Sequence, residues 1–162
     1  MTVLQGALMP NRSIPSTLPS GPTYLCHRPV RPASATSIWS RLEERPEGAR
    51  VVITFPMALA EEDPSRTRRQ LARLGYDRLR VDGRVIDLDD WRPAPGADWV
   101  DVVADRAVLR RRDRRRIVDS LEQALRFGAG RLDLWLDDGV HLPFSAHAEC
   151  PRCRASSPST AR

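Results

Sequence analysis

The stretch Gly75–Asp90, GYDRLRVDGRVIDLDD, constrains the fold more than any other part of the chain. Leu79, Val81, Val85 and Leu88 mostly alternate with Asp77, Arg78, Arg80, Asp82, Arg84 and Asp87, the period of two of half-buried strands. Asp82-Gly83 sits at the reversal, and such a pair favours the positive φ angles of a tight primed turn. Gly75, just ahead of it, reads as a helix C-cap. A helix end, a strand, a turn and a second strand are thus specified within a few residues.

The rest of the chain supplies matching parts. Ser34 is placed to N-cap a helix running to Arg45, with Ile38, Trp39 and Leu42 on one face and Pro46 and Gly48 closing it. Arg50–Phe55 (RVVITF) reads as a short buried strand ended by Pro56. Asp63-Pro64 opens a second helix, with Leu71 and Leu74 facing inward. Its Arg66, Arg68, Arg69 and Arg73 read as a solvated face. Beyond the hairpin, Trp99–Arg110 is the longest strand candidate. Asp113 then starts a helix with Ile117, Val118, Leu121 and Leu125 at helical spacing. Leu132–Leu136 and Val140–Phe144 flank Asp138-Gly139 as a second hairpin. This order predicts an α+β domain: a small antiparallel or mixed sheet with two hairpins and about three helices packed on one face. Residues 1–33 read as an irregular or disordered arm, 34–147 as the folded domain and 148–162 as a flexible tail.

A chain of 162 residues suits one domain with tails. No apolar run approaches the roughly 20 residues of a membrane span, and the N-terminus lacks the pattern of a secretory signal, so a cytoplasmic location is expected. The net charge of +5 invites a nucleic-acid partner. Every basic residue is Arg, however, with no Lys anywhere, which also fits a GC-rich coding bias. Without Lys, no Walker A loop can exist, and no G-x-G-x-x-G occurs. His27, His141 and His147 are not spaced as a helical metal pair, and His141 reads as an edge-strand residue. No catalytic constellation is visible, so no enzyme is expected.

Cys26, Cys150 and Cys153 form an odd set, which argues against a disulfide framework. Cys150 and Cys153 are spaced C-x-x-C and can hold two corners of a tetrahedral zinc site. His147 and Cys26 are the ligands available to complete it. A half-site and a reduced dithiol are the competing readings.

Four blocks in order resemble UvrA, the damage-sensing ATPase component of excinuclease ABC in bacterial nucleotide excision repair. They are LARLGYDRLRVDGRVIDLDD (Leu71–Asp90), VDVVADRAVLR (Val100–Arg110), RRIVDSLEQALRFGAG (Arg115–Gly130) and PFSAHAECPRC (Pro143–Cys153). A weaker match, PTYLCHRPVRPAS (Pro22–Ser34), extends the likeness, which covers about Pro22–Cys153. The resemblance implies the insert within the first ATP-binding half of that family, its UvrB-binding domain. It further implies that Arg78 and Arg106 are UvrB contacts and that Cys150 and Cys153 open a zinc finger; Arg80, on the neighbouring hairpin surface, is expected to join the two arginines in UvrB binding. ATP binding is not expected, because the family's ATP-binding motifs are absent from this sequence. Thr23 stands where the family has a Cys, and Ala104 where it usually has Val. The expectation is a detached UvrA-like piece that docks UvrB. The alternatives are a small Arg-rich DNA-binding protein using the Arg110–Arg116 run, or a remnant without function.

Overall fold

The computed structural model describes residues 32–59 and 64–147. The proposed irregular arm (apart from residues 32 and 33), the Asp63 N-cap, Cys26, Cys150 and Cys153 lie outside the described residues. Among the described residues, three helices and six strands follow in the order α1 (Ala35–Leu42), β1 (Arg50–Ala58), α2 (Pro64–Arg73), β2 (Arg78–Val81), β3 (Arg84–Asp87), β4 (Trp99–Val108), α3 (Arg114–Phe127), β5 (Arg131–Leu136) and β6 (His141–Ser145). A short 3-10 turn, Arg111–Asp113, leads into α3. The strands form one antiparallel sheet in the order β3-β2-β4-β1-β5-β6.

The capping chemistry explains where the helices begin and stop. Ser34 and Ser37 form a reciprocal capping box at the start of α1. The helix ends at Leu42 rather than Arg45. Pro46 disfavours helical geometry at the residue before it, so the last turn is given up early. Gly75 stops α2 with φ of +84°. Thr67 and Leu71 are buried, four residues apart on one face. Leu74, expected to face inward, is 41% exposed. It lies past the last helical residue, where the chain is already turning and its side chain leaves the buried stripe. Arg68 also departs from the solvated face, because its guanidinium donates to the Trp91 carbonyl at 2.6 Å.

Both hairpins form, by different turns. Asp82 and Gly83 have φ of +48° and +79°, the two positive angles of a primed turn. At the second hairpin only Gly139 is left-handed, with φ of +82°. There the Leu136 and Val140 backbones pair across a three-residue loop ending in that glycine. Strand β1 does not stop at Pro56 but runs on to Ala58. Its pairing with β5 ends at Thr54, so beyond that point only the β4 side needs donors, and a proline is tolerated.

Alternation in the strands sends Val51, Ile53 and Phe55 (β1), Leu79 (β2), Val102 (β4) and Leu132 and Leu134 (β5) to one face, all essentially buried. Helix α3 lies on β1, β4 and β5 there through Ile117, Leu121 and Ala124, and α1 packs on α3 through Ile38, Trp39 and Leu42. Phe55 is the corner of this core. Its ring meets Tyr76 edge-on at 5.2 Å between centroids and Phe127 at 6.0 Å. Gly128 is required beneath it: a Cβ there would lie 2.8 Å from the Cβ of Phe55 and run into the Arg131 carbonyl.

Candidate partner-binding face

Among the described residues, no helix packs on the other face of the sheet. What that face displays is decided by one irregularity in β4. The register with β1 slips between Ile53 and Thr54, which pair with Asp105 and Val103, so Ala104 is the extra residue. With unbroken alternation after Val103, Asp105 would point to the open face and Arg106 to the helices. The bulge reverses this. Asp105 turns to the helix side, where it accepts from Arg116 at 2.7 Å and from Ser120 at 2.8 Å. Arg106 pairs with Val52 and turns to the open face.

Arg78 alternates with buried Leu79 and therefore shares that face. It and Arg106 line one open concavity of about 430 Å³, together with Val85, Ile86, Asp87 and Asp90. Arg78 sits opposite Asp87 on β3, at 3.7 Å, a loose and exposed contact worth little in water. The Arg106 side chain has no hydrogen bond or ion pair among the described residues. The concavity thus offers two exposed guanidinium groups, with Val85, Ile86 and the carboxylate residues Asp87 and Asp90 in the same lining.

Arg80 lies on the same face but is engaged differently. Its guanidinium carbon sits 3.3 Å from the ring centroid of Trp135 on β5. Strands β2 and β5 are three places apart in the sheet, about 14 Å at the usual strand spacing, so the two long side chains meet across the open face over β4 and β1. Trp135 is stacked on His141 at 3.7 Å with rings 2° from parallel, and its Nε1–H donates to Thr54 Oγ1 at 2.9 Å. The Nε2 of His141 lies 2.6 Å from Asp133 Oδ1. Thr54 and Val103 on this face are buried although no helix covers them.

Asp101 stands directly across from Arg80 in the β2–β4 pair. Burial pushes its carboxyl up to about 6, Asp133 adds to the rise, and Arg80 and His141 oppose it. The folded state therefore binds this proton more tightly than the unfolded chain, whose ordinary value is 3.8. The stability it contributes is present at acid pH and is lost as pH rises from about 3.8 to about 6. Asp101→Asn is expected to raise stability by about 1 kcal/mol at pH 7, after allowance for solvent access, and by little at pH 4. Urea melts at the two pH values check this; a variant less stable at pH 7 contradicts it.

The other sequence candidates fall elsewhere. Among the described residues, no group of three or more His, Cys, Asp or Glu side chains is arranged to hold a metal. His147, considered as a zinc ligand, has its Nε2 2.8 Å from the Ala129 carbonyl. His141 is on the edge strand, as expected.

Residues 33–138 match the family model described as the UvrA interaction domain. The chain belongs to that family. Its relatives include proteins named UvrABC system protein A from Methanothermobacter thermautotrophicus, 34% identical over 79% of this chain and 14% of the relative. The Thermus thermophilus protein of that name is 35% identical over 78% of this chain and 14% of the relative. That of Streptococcus pyogenes is 33% identical over 82% and 14%. The chain therefore spans about 14% of the length of the curated relatives it matches. No helix among the described residues is long and apolar enough to cross a membrane.

Within this UvrA interaction domain, the structure brings Arg78 and Arg106 together and sets Arg80 apart on Trp135. The sequence reading missed Trp135, Asp101, Asp133 and Thr54 as members of a polar cluster. The available signal was the row of polar residues at strand positions that face away from the leucines, Asp133 and Trp135 between Leu132, Leu134 and Leu136.

Proposed function

We propose that residues 34–147 act as a docking module of the UvrA type in nucleotide excision repair, without ATPase chemistry of their own. The partner is UvrB, bound on the open face of the sheet through Arg78 and Arg106, with Arg80 as a third contact. The observation that carries this reading is the β4 bulge. It turns Arg106 to the side already occupied by Arg78, so that two exposed guanidinium groups line one concavity. Paired Arg forks recognise carboxylates with defined geometry, which suits an acidic protein surface. A UvrB pull-down with the parent chain and with Arg78→Glu/Arg106→Glu tests it. The parent should retain UvrB and the double variant should not; a parent that fails to bind, or a double variant that binds equally, defeats the proposal.

A second reading is supported by a different surface. Arg111, Arg112, Arg114 and Arg115 are all exposed around the start of α3, on the side of the molecule that carries the helices. This suits phosphate contacts, and duplex DNA binding that weakens steeply between two salt concentrations would favour it.

A further inference from the structure

We infer that Trp135 is a positioning residue for Arg80: the indole draws the guanidinium away from the carboxylate across the strand pair and holds its donors out for a partner's carboxylate. This rests on the proposed docking of UvrB and names how its third contact is prepared.

Arg80 and Asp101 are direct cross-strand neighbours on one face. Opposite charges so placed ordinarily attract each other. Arg80 nevertheless lies over Trp135, its guanidinium carbon 3.3 Å from the ring centroid, and no hydrogen bond or ion pair holds its side chain among the described residues. The indole has three fixed points: the Thr54 hydroxyl at its N–H, the stacked His141 ring, and Asp133 fixing that ring in turn. A guanidinium stacked on an aromatic face keeps its N–H groups in its own plane, directed outward rather than into the ring. A cation held this way has less freedom to lose on binding than one on a loose stem. Remove the indole and its cross-strand neighbour Asp101, half-buried and without an ion pair among the described residues, is free to attract the guanidinium, whereas Asp133 is already engaged by His141 at 2.6 Å.

A positioning role makes residues depend on one another in a way that a merely structural tryptophan would not. In the intact free chain, NMR titration of the Asp101 carboxyl should show a midpoint of about 6. The groups around it are Asp133, Arg80 and His141. In Trp135→Leu the guanidinium reaches Asp101, and the midpoint should fall by about one pH unit. Trp135→Phe keeps a stacking face and should hold the midpoint. Trp135→Leu/Arg80→Gln should abolish the fall, which separates the guanidinium from altered burial. No fall, or one that survives Arg80→Gln, overturns the inference whatever the partner does.

With UvrB, Trp135→Leu should weaken binding about tenfold. Trp135→Leu/Asp101→Asn should recover most of that loss, because the cross-strand carboxylate that captures Arg80 is then gone. Unrestored binding also overturns the inference, even where Arg78→Glu and Arg106→Glu weaken docking. If every arginine variant binds UvrB as the parent does, it is the docking reading that fails, and the free-chain titration alone judges Trp135.

Discussion

Phe55→Ala should destabilise the domain by about 3–5 kcal/mol, a large share of the roughly 5–15 kcal/mol by which such domains are stable. Phe55 is fully buried where β1 meets the end of α3. Its ring is held by Tyr76 and Phe127, which also meet each other at 5.8 Å. Truncation removes both ring contacts at once. The hole cannot collapse easily, because Gly128 already brings the chain between α3 and β5 as close to Phe55 as it can come. Lost transfer energy and a residual cavity therefore add. Urea melts of parent and variant measure the difference, and a loss under about 1 kcal/mol would show that this corner repacks.

Arg106→Glu should cost UvrB binding about 2–5 kcal/mol, roughly 30-fold or more, while leaving stability within about 0.5 kcal/mol. The asymmetry follows from its position. Arg106 is exposed, and its guanidinium has no partner among the described residues, so the fold does not depend on it. A glutamate at that site would stand in the same concavity as Asp87 and Asp90, converting a mixed rim into an acidic one. An acidic partner would then lose an attraction and meet a repulsion. Calorimetric titration with UvrB, paired with a thermal melt, measures both numbers. Equal loss of binding and of stability would mean that Arg106 supports the fold instead.

The hairpin around Asp82-Gly83 was legible because the turn pair and the alternation pointed to the same register. The same holds for the capping box at Ser34 and the glycine stop after α2. Other features depend on contacts that local pattern does not carry. In β4, Val102, Val103 and Ala104 are consecutive and apolar, so nothing in the run marks which residue is extra. The facing of Arg106 hangs on that choice. Pro56 read as a terminator because its free edge exists only through the sheet order. The contact of Arg80 with Trp135 joins residues 55 positions apart across the open face, over β4 and β1. Family likeness, rather than periodicity, singled out Arg78 and Arg106, and Arg80 joins them only as their hairpin neighbour. The bulge then accounts for how two of them reach one concavity.

Backbone chemical-shift mapping of the intact chain on titration with UvrB addresses the open face most directly. Docking there predicts shifts concentrated on β2, β3 and β4 around Arg78, Asp87, Asp101 and Arg106, with the outer surfaces of α1 and α3 left unchanged. Shifts confined to those helices, or none at saturating UvrB, would contradict it.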